Sequence, residues 1–184
     1  MSSPTELTTE RLRLRQWLPT EADRVLDIRG RREVAQWLSD PEPWTDLRTA
    51  RDWIRSAAER TAGDDPLGVW AIVPHSTGVP AGSVSLGLLP GSTEVEIGWH
   101  LHPDSTGRGY AREAAAALLD HALRSGVATV WAIMWPHNEA SARVASSIGM
   151  VDLGVRDDPW YGTEAEPTSR IFRIDAEGSD PGGR

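Results

Sequence analysis

The sequence predicts a mixed α/β fold, one domain over residues 1–175 with a sheet of about seven strands and four helices. Three observations carry this. Strand-like and helix-like patterns alternate along the whole chain. The run "EVEIGWHL" alternates polar and apolar residues and passes through "HPDSTGRGYA" into an alanine-rich helical stretch. The run "VATVWAIMW" is apolar almost throughout, as a strand covered on both faces should be.

Each element has its own signal. In "RLRLRQW", Leu12 and Leu14 alternate with arginines, the mark of a half-buried strand. Thr20 is placed to cap a helix through "EADRVLDIRG" that stops at Gly30. Residues Arg32 to Leu38 add a turn before Pro41 and Pro43 break it. From Thr45, the apolar set Leu47, Ala50, Trp53, Ile54 and Ala57 recurs at helical spacing. "GVWAIV" and "AGSVSLGLL" read as strands joined by a turn containing Gly78 and Pro80. The next strand puts Val95, Ile97, Trp99 and Leu101 on one face and Glu94, Glu96, Gly98 and His100 on the other. Arg112 to Arg124 is a helix ended by Gly126, and Asn138 to Ile148 a helix closed by Gly149. "MVDLGV" and "RIFRID" give the last two strands. Residues 176–184 read as a disordered tail.

Composition narrows the function. There is no cysteine, so disulfides and thiolate metal sites are excluded and the cytoplasm is a compatible compartment. No run approaches the ~18 consecutive apolar residues of a membrane helix. The start "MSSPTELTTERL" lacks the basic and apolar regions of a secretory signal, so none is expected. The formal net charge of −8 argues against nucleic acid or an anionic membrane as partner and mildly favours cationic ones. The nine tryptophans are expected mostly in the core. Trp37 and Trp44 differ, because they flank the loop "LSDPEPW" and are candidates to line a substrate pocket.

The stretch "TGRGYA", Thr106 to Ala111, stands where a strand hands over to a helix. Such a junction exposes unpaired backbone N–H groups, and the helix dipole adds partial positive charge at the same point. Glycines let consecutive amides curl round a phosphate, and Arg108 adds a formal charge. A plain strand–helix turn is the alternative on these residues alone. A P-loop is excluded, since it needs a lysine and all 19 basic residues are arginine. A dinucleotide fold would need a third glycine and an earlier position in the chain.

"LHPDSTGRGYA", preceded by "EIGW" and followed by "NEASARVASSIGM", resembles the GNAT superfamily of acyl-CoA-dependent N-acyltransferases. "TERLRLRQW" and "EIGWHL" resemble, more narrowly, the branch that includes ribosomal-protein N-terminal (alanine and serine) acetyltransferases. The resemblance covers residues 7–174. It implies a mixed, mostly antiparallel central sheet and acetyl-CoA as co-substrate. Thr106, Gly107, Arg108, Gly109, Tyr110 and Ala111 would then form the pyrophosphate loop, with Thr106 departing from the family's Gln or Arg. Asn138 would meet the pantetheine arm, and the backbone of Trp99, His100 and Leu101 would pair with its amides. In the family this strand splays from the next one; Gly98 would permit a bulge there.

For the chemistry, Glu96 is the preferred base, acting through a water, with His100 as fallback and Glu94 nearer the turn. The family's tyrosine acid falls on Ala145 and is missing. Ser141, one helical turn after Asn138, could hydrogen-bond the departing thiolate or else bond back to its own helix. His100 and His102 with Glu96 permit a metal site by spacing alone, so none is expected. The acceptor is a primary amine, either a protein N-terminus such as that of a ribosomal protein or a small molecule; a homodimer is compatible with all of this. Alternatives kept open are another acyl donor such as succinyl-CoA, a degenerate acyl-CoA-binding module without turnover, and a regulatory partner protein.

Overall fold

In chain order the strands are β1 (Leu7–Thr8), β2 (Leu12–Arg15), β3 (Gly68–Pro74), β4 (Gly82–Leu88), β5 (Val95–Leu101), β6 (Thr129–Met134), β7 (Val151–Asp157) and β8 (Thr168–Asp175). The helices are α1 (Ala22–Arg29), α2 (Arg32–Ala35), α3 (Leu47–Arg60), α4 (Tyr110–Arg124) and α5 (Glu139–Ser147). This computed structural model describes residues 5–61 and 66–176. The strands form one sheet in the order β1-β2-β3-β4-β5-β6-β8-β7. Every pairing is antiparallel except β5 with β6. The sheet is therefore mixed and mostly antiparallel, as expected. It exceeds the expected count by the two-residue β1 and the one-turn α2.

Alternation on each strand divides the core in two. One face carries Leu12, Leu14, Trp70, Ile72, Val84, Leu86, Val95 and Ile97, covered by α4 and α5 through Ala114, Ala115, Leu118, Leu119, Ala142 and Ala145. The alanines on that stripe let α4 approach the sheet closely. The other face carries Val69, Ala71 and Val73, covered by α1 and α3 through Val25, Ile28, Ala50, Ile54 and Ala57. The period of 2 on β5 therefore turns Val95 and Ile97 to the α4 layer and Glu96, Gly98 and His100 to the α1–α3 layer. That second face carries the candidate site.

Several local expectations change. Thr20 does not cap α1; it lies in a 3-10 turn, Pro19–Glu21. There Glu21 accepts from the Leu18 amide at 2.9 Å and holds Arg15 at 2.6 Å. Strand β6 is not buried on both faces. Val130, Ala132 and Met134 are buried, whereas Thr129, Trp131 and Ile133 are half-buried. On that side the cover is loop rather than helix, with Trp160 against Trp131 at 5.3 Å between ring centroids. Of the nine tryptophans only Trp17 and Trp70 are fully buried. Most of the others are amphipathic walls, with one edge on the core and one on open space. Of the expected tail, Ala176 still donates to the Ala128 carbonyl at 2.8 Å, and residues 177–184 lie outside the described residues. Among the described residues no helix is long and apolar enough to cross a membrane.

Candidate active site

A break in the sheet makes the site. Strand β5 pairs with β4 along its whole length, Val95↔Leu88 to Leu101↔Gly82. With β6 it pairs only at Val95↔Val130 and Glu96↔Trp131. Beyond Glu96 the two part company, because β6 stays in register with β8 as far as Met134↔Arg170. The β6-facing edge of β5 from Ile97 to Leu101 is thus free of ladder pairs and opens a cleft of about 1110 Å³. Gly98 supplies no bulge, since Ser85↔Gly98 is in unbroken register. A Cβ there would stand 3.3 Å from Ser85 Oγ, so the glycine keeps the cleft floor flat.

At one end of the cleft lies the glycine turn. Gly107 and Gly109 have φ of +73° and +77°, the left-handed region that glycine enters without strain. Among the described residues the amides of Gly107, Arg108 and Gly109 donate no hydrogen bond. Those of Tyr110, Ala111 and Arg112 follow in the first turn of α4, where helical N–H groups have no intrahelical partner. Thr106 lines the cleft, but its hydroxyl is spent on the Pro103 carbonyl at 2.9 Å. The Tyr110 ring is buried in the core, and the exposed Arg108 side chain stands off the cleft lining. One residue was not anticipated. Arg11 donates to the Arg108 carbonyl at 2.9 Å, pairs with Glu113 at 2.6 Å and lies over the Tyr110 ring. It staples the turn from the position just before β2.

Asn138 and Ser141 line the cleft's far side. Asn138 is buried and caps α5, its Oδ1 accepting from the Ser141 amide at 3.1 Å. Its side-chain NH₂ makes no hydrogen bond among the described residues. The Ser141 hydroxyl does not bond back to the helix and is open to the cleft. Ala145 is fully buried beneath them.

Glu96 sits on the floor just where the strands part. Burial pushes its carboxyl up to about 7, offset in part by hydrogen bonds from the Tyr161 hydroxyl and the Ile133 amide. The Tyr161 hydroxyl donates to Glu96 Oε2 at 2.6 Å. Tyr161 was not foreseen as a site residue. It comes from the loop after β7, which is organised by buried Asp158. That carboxylate accepts from the amides of Trp160 and Tyr161 at 2.9 and 3.0 Å and from the Ser169 hydroxyl at 2.7 Å. Glu94 is not available as a base in the cleft: it accepts from Trp131 Nε1 at 2.6 Å, outside the cleft lining.

His100 lies on the same floor as Glu96, but burial and the Arg29 charge hold its imidazole down to about 3, so it is neutral near pH 7. His102 is turned away. It is buried with Nε2 at 3.1 Å from Asp27 and Nδ1 accepting from the Asp104 amide at 3.1 Å. Among the described residues no group of three or more His, Cys, Asp or Glu side chains is placed to hold a metal.

The two candidate pocket tryptophans separate. Trp37 is 40 % exposed and lines the cleft. Trp44 does not. It packs edge-on to Trp53 at 6.4 Å, donates Nε1 to Asp40 at 3.0 Å and carries the Arg29 guanidinium over its ring at 4.3 Å. Its ring braces α1 against α3, and Trp53 and Trp99 take the wall positions instead.

Comparison with known proteins agrees with this architecture. The model of the acetyltransferase (GNAT) domain matches residues 11–151. YkkB of Bacillus subtilis (strain 168) is 30 % identical over 162 residues, covering 82 % of this chain and 87 % of its own. An acetyltransferase structure from Agrobacterium tumefaciens str. C58 superposes with a TM-score of 0.72 at 27 % identity, covering 95 % and 96 % of the two chains. RimL, a ribosomal L7/L12 alpha-N-protein acetyltransferase in complex with coenzyme A, gives 0.77 at 18 % identity over 93 % and 98 %, a likeness of fold. With the splayed β5–β6 pair, the glycine turn into α4 and the family match over most of the chain, this protein belongs to the GNAT acetyltransferase family and is an acyltransferase.

Proposed function

We propose that the protein transfers an acetyl group from acetyl-CoA to a primary amine by direct attack. The observation that carries this is convergence: the glycine turn with its free amides, the unpaired edge of β5 and the carboxylate of Glu96 all open onto one cleft. The residues present suit the co-substrate. Six successive amides from Gly107 to Arg112 can take a pyrophosphate, and the open edge at Trp99–Leu101 with the Asn138 NH₂ can take an amide-bearing arm. RimL, which shares this fold, was solved in complex with coenzyme A, and that likeness supports the choice of co-substrate.

Glu96 then acts as the base. With its carboxyl at about 7 it is largely ionised at slightly alkaline pH yet basic enough to receive a proton from an ammonium group, directly or through water. Tyr161 holds it in place. The Ser141 hydroxyl, free of its helix, is the donor to the departing thiolate. A thiol of pKa about 8.5 is a tolerable leaving group, so this step asks less of the protein.

Two measurements test the reading. Acetyl-CoA should raise the melting temperature by mass action, by roughly RT ln(1 + [L]/Kd), and free coenzyme A should do the same because the turn grips the pyrophosphate. No rise at millimolar ligand would refute the co-substrate. Mass spectrometry of an amine panel with acetyl-CoA should show a product 42 Da heavier, one acetyl for one hydrogen; binding without any acetylated product would make the protein a non-catalytic acyl-CoA-binding module.

Tyr161→Phe tests the base specifically. The tyrosine hydroxyl favours the ionised form of Glu96, so its loss should move the rising limb of kcat/KM about one pH unit upward, for a hydrogen bond of about 1.4 kcal/mol. Activity should fall at neutral pH and recover at alkaline pH. A uniform loss at all pH values would give Tyr161 a purely structural part.

A further inference from the structure

Five arginines among the described residues are half-buried: Arg15, Arg24, Arg29, Arg170 and Arg173. Four are neutralised, by Glu21, by Asp27 and Asp104, by Glu139 and Asp152, and by Asp175. Arg29 is the exception. Its guanidinium makes no hydrogen bond and no ion pair among the described residues; it lies over the Trp44 ring, 4.3 Å from the centroid, and the residue lines the cleft. A cation withdrawn from water with its N–H donors unmet is costly, and such a group calls for an anion.

The described residues do not supply one. Asp40 is near enough to favour the charged form of Arg29 but stands beyond ion-pair reach, and its Oδ2 is taken by Trp44 Nε1 at 3.0 Å. His100, the floor residue under Arg29's influence, is neutral. We propose that Arg29 anchors a carboxylate carried by the amine acceptor, at the opposite end of the cleft floor from Glu96. This rests on the acetyl-transfer reading for the amine, and on the unpaired guanidinium alone for the anion.

Geometry narrows the acceptor further. Glu96 and His100 lie on one strand face four residues apart, which at ~3.4 Å per residue is about 14 Å. An amine facing Glu96 and a carboxylate facing Arg29 therefore belong to an elongated molecule, such as a short peptide. An α-amino acid, with both groups on one carbon, is too short. A monovalent carboxylate fits better than a phosphate dianion, because the cleft is also lined by Glu33, Glu96 and Glu166, which repel a second negative charge. The net charge of −8, which mildly favours cationic partners, is compatible with an acceptor that carries both an amine and a carboxylate.

Trialanine and trialanine amide make the test, since an extended tripeptide spans about 10 Å and the amide removes only the anion. Wild-type protein should prefer the free carboxylate by at least about tenfold in kcat/KM, the worth of one charge-assisted hydrogen bond. Calorimetry on the complex with coenzyme A should show the same preference in Kd without needing turnover. Arg29→Met, which keeps the stack on Trp44, should bring trialanine down to the level of its amide while leaving acetyl-CoA affinity unchanged and the melting temperature no lower than that of the wild type; Arg29→Lys should restore part of the difference. Equal handling of the two peptides, binding of neither, a preference that survives Arg29→Met, or a loss of acetyl-CoA affinity in that variant would overturn the proposal. A preference in binding with no acetylated product would instead retain the anion site and defeat the catalytic reading.

Discussion

Glu96→Gln should lower kcat by about 10³-fold, the middle of the range for a lost general base, with acetyl-CoA binding intact. The glutamine fills the same space and can still accept from Tyr161, so packing is preserved while the proton acceptor is removed. The pH profile should change with it. In the wild type the rate should rise through the region of about 7 as Glu96 ionises; in the variant that limb should vanish. Ser141→Ala should cost less, near the lower end of the general-acid range of about 10² or below it. Full activity in Glu96→Gln would show that the enzyme works by positioning, drawing on whatever free amine the solution supplies.

The same substitution has an opposite effect on stability. The folded-state carboxyl of Glu96 is raised above its unfolded value of 4.5, so the folded protein holds the proton more tightly than the unfolded chain does. Its favourable contribution is complete below pH 4.5 and is lost as pH rises through about 7. At pH 8 the wild type thus carries a buried charge that glutamine lacks. Glu96→Gln should melt higher than wild type at pH 8, and the difference should close toward pH 4. A group that destabilises the fold in its working state is what a site residue does and a packing residue does not.

The sequence made the scaffold readable wherever a signal is local. The two faces of β5 follow from its alternation alone, and the glycine turn and the Asn138 cap are short-range features whose geometry their residue types demand. Site features that depend on two distant segments were not readable from the residues themselves, although the family resemblance implied the splay. The splay arises because β6 must satisfy β5 and β8 at once, and no single strand's pattern states where one pairing yields to the other. Tyr161 and Glu96 are 65 residues apart. The turn that carries Tyr161 had a visible signature, Asp158 before a proline and Gly162 behind, because an aspartate there accepts from the amides that follow it. What the signature lacked was the direction in which the ring points. Trp37 and Trp44 show the same limit: both flank one loop, yet only the one without a guanidinium and a carboxylate to hold it reaches the cleft. Net charge does not choose among amine acceptors, because a chain-wide total of −8 says less about the field in the cleft than one half-buried arginine that is unpaired among the described residues.

Gly109→Val should weaken acetyl-CoA binding by about a hundredfold, the loss of two charge-assisted hydrogen bonds at roughly 1.5 kcal/mol each. Gly109 has φ of +77°, where a β-branched residue is strained by sterics whatever room surrounds it. Its Cβ would also come within 3.3 Å of Arg11 Nη2. Arg11 cannot give way freely, because its guanidinium is held by Glu113 and by the Arg108 carbonyl. The backbone must move instead, and the amides on either side of residue 109 are those that would face the pyrophosphate. Strain alone does not account for such a loss, and Gly78→Val separates the two causes. Gly78 has a comparable φ of +67°, nothing within 4 Å of its added Cβ, and a place in the β3–β4 turn off the cleft lining. Both variants should melt at lower temperature than wild type, whereas only Gly109→Val should lose affinity in a calorimetric titration with acetyl-CoA. An unchanged Kd in Gly109→Val would reduce the turn to a connection between strand and helix, and the cofactor's phosphates would have to be sought elsewhere on the cleft wall.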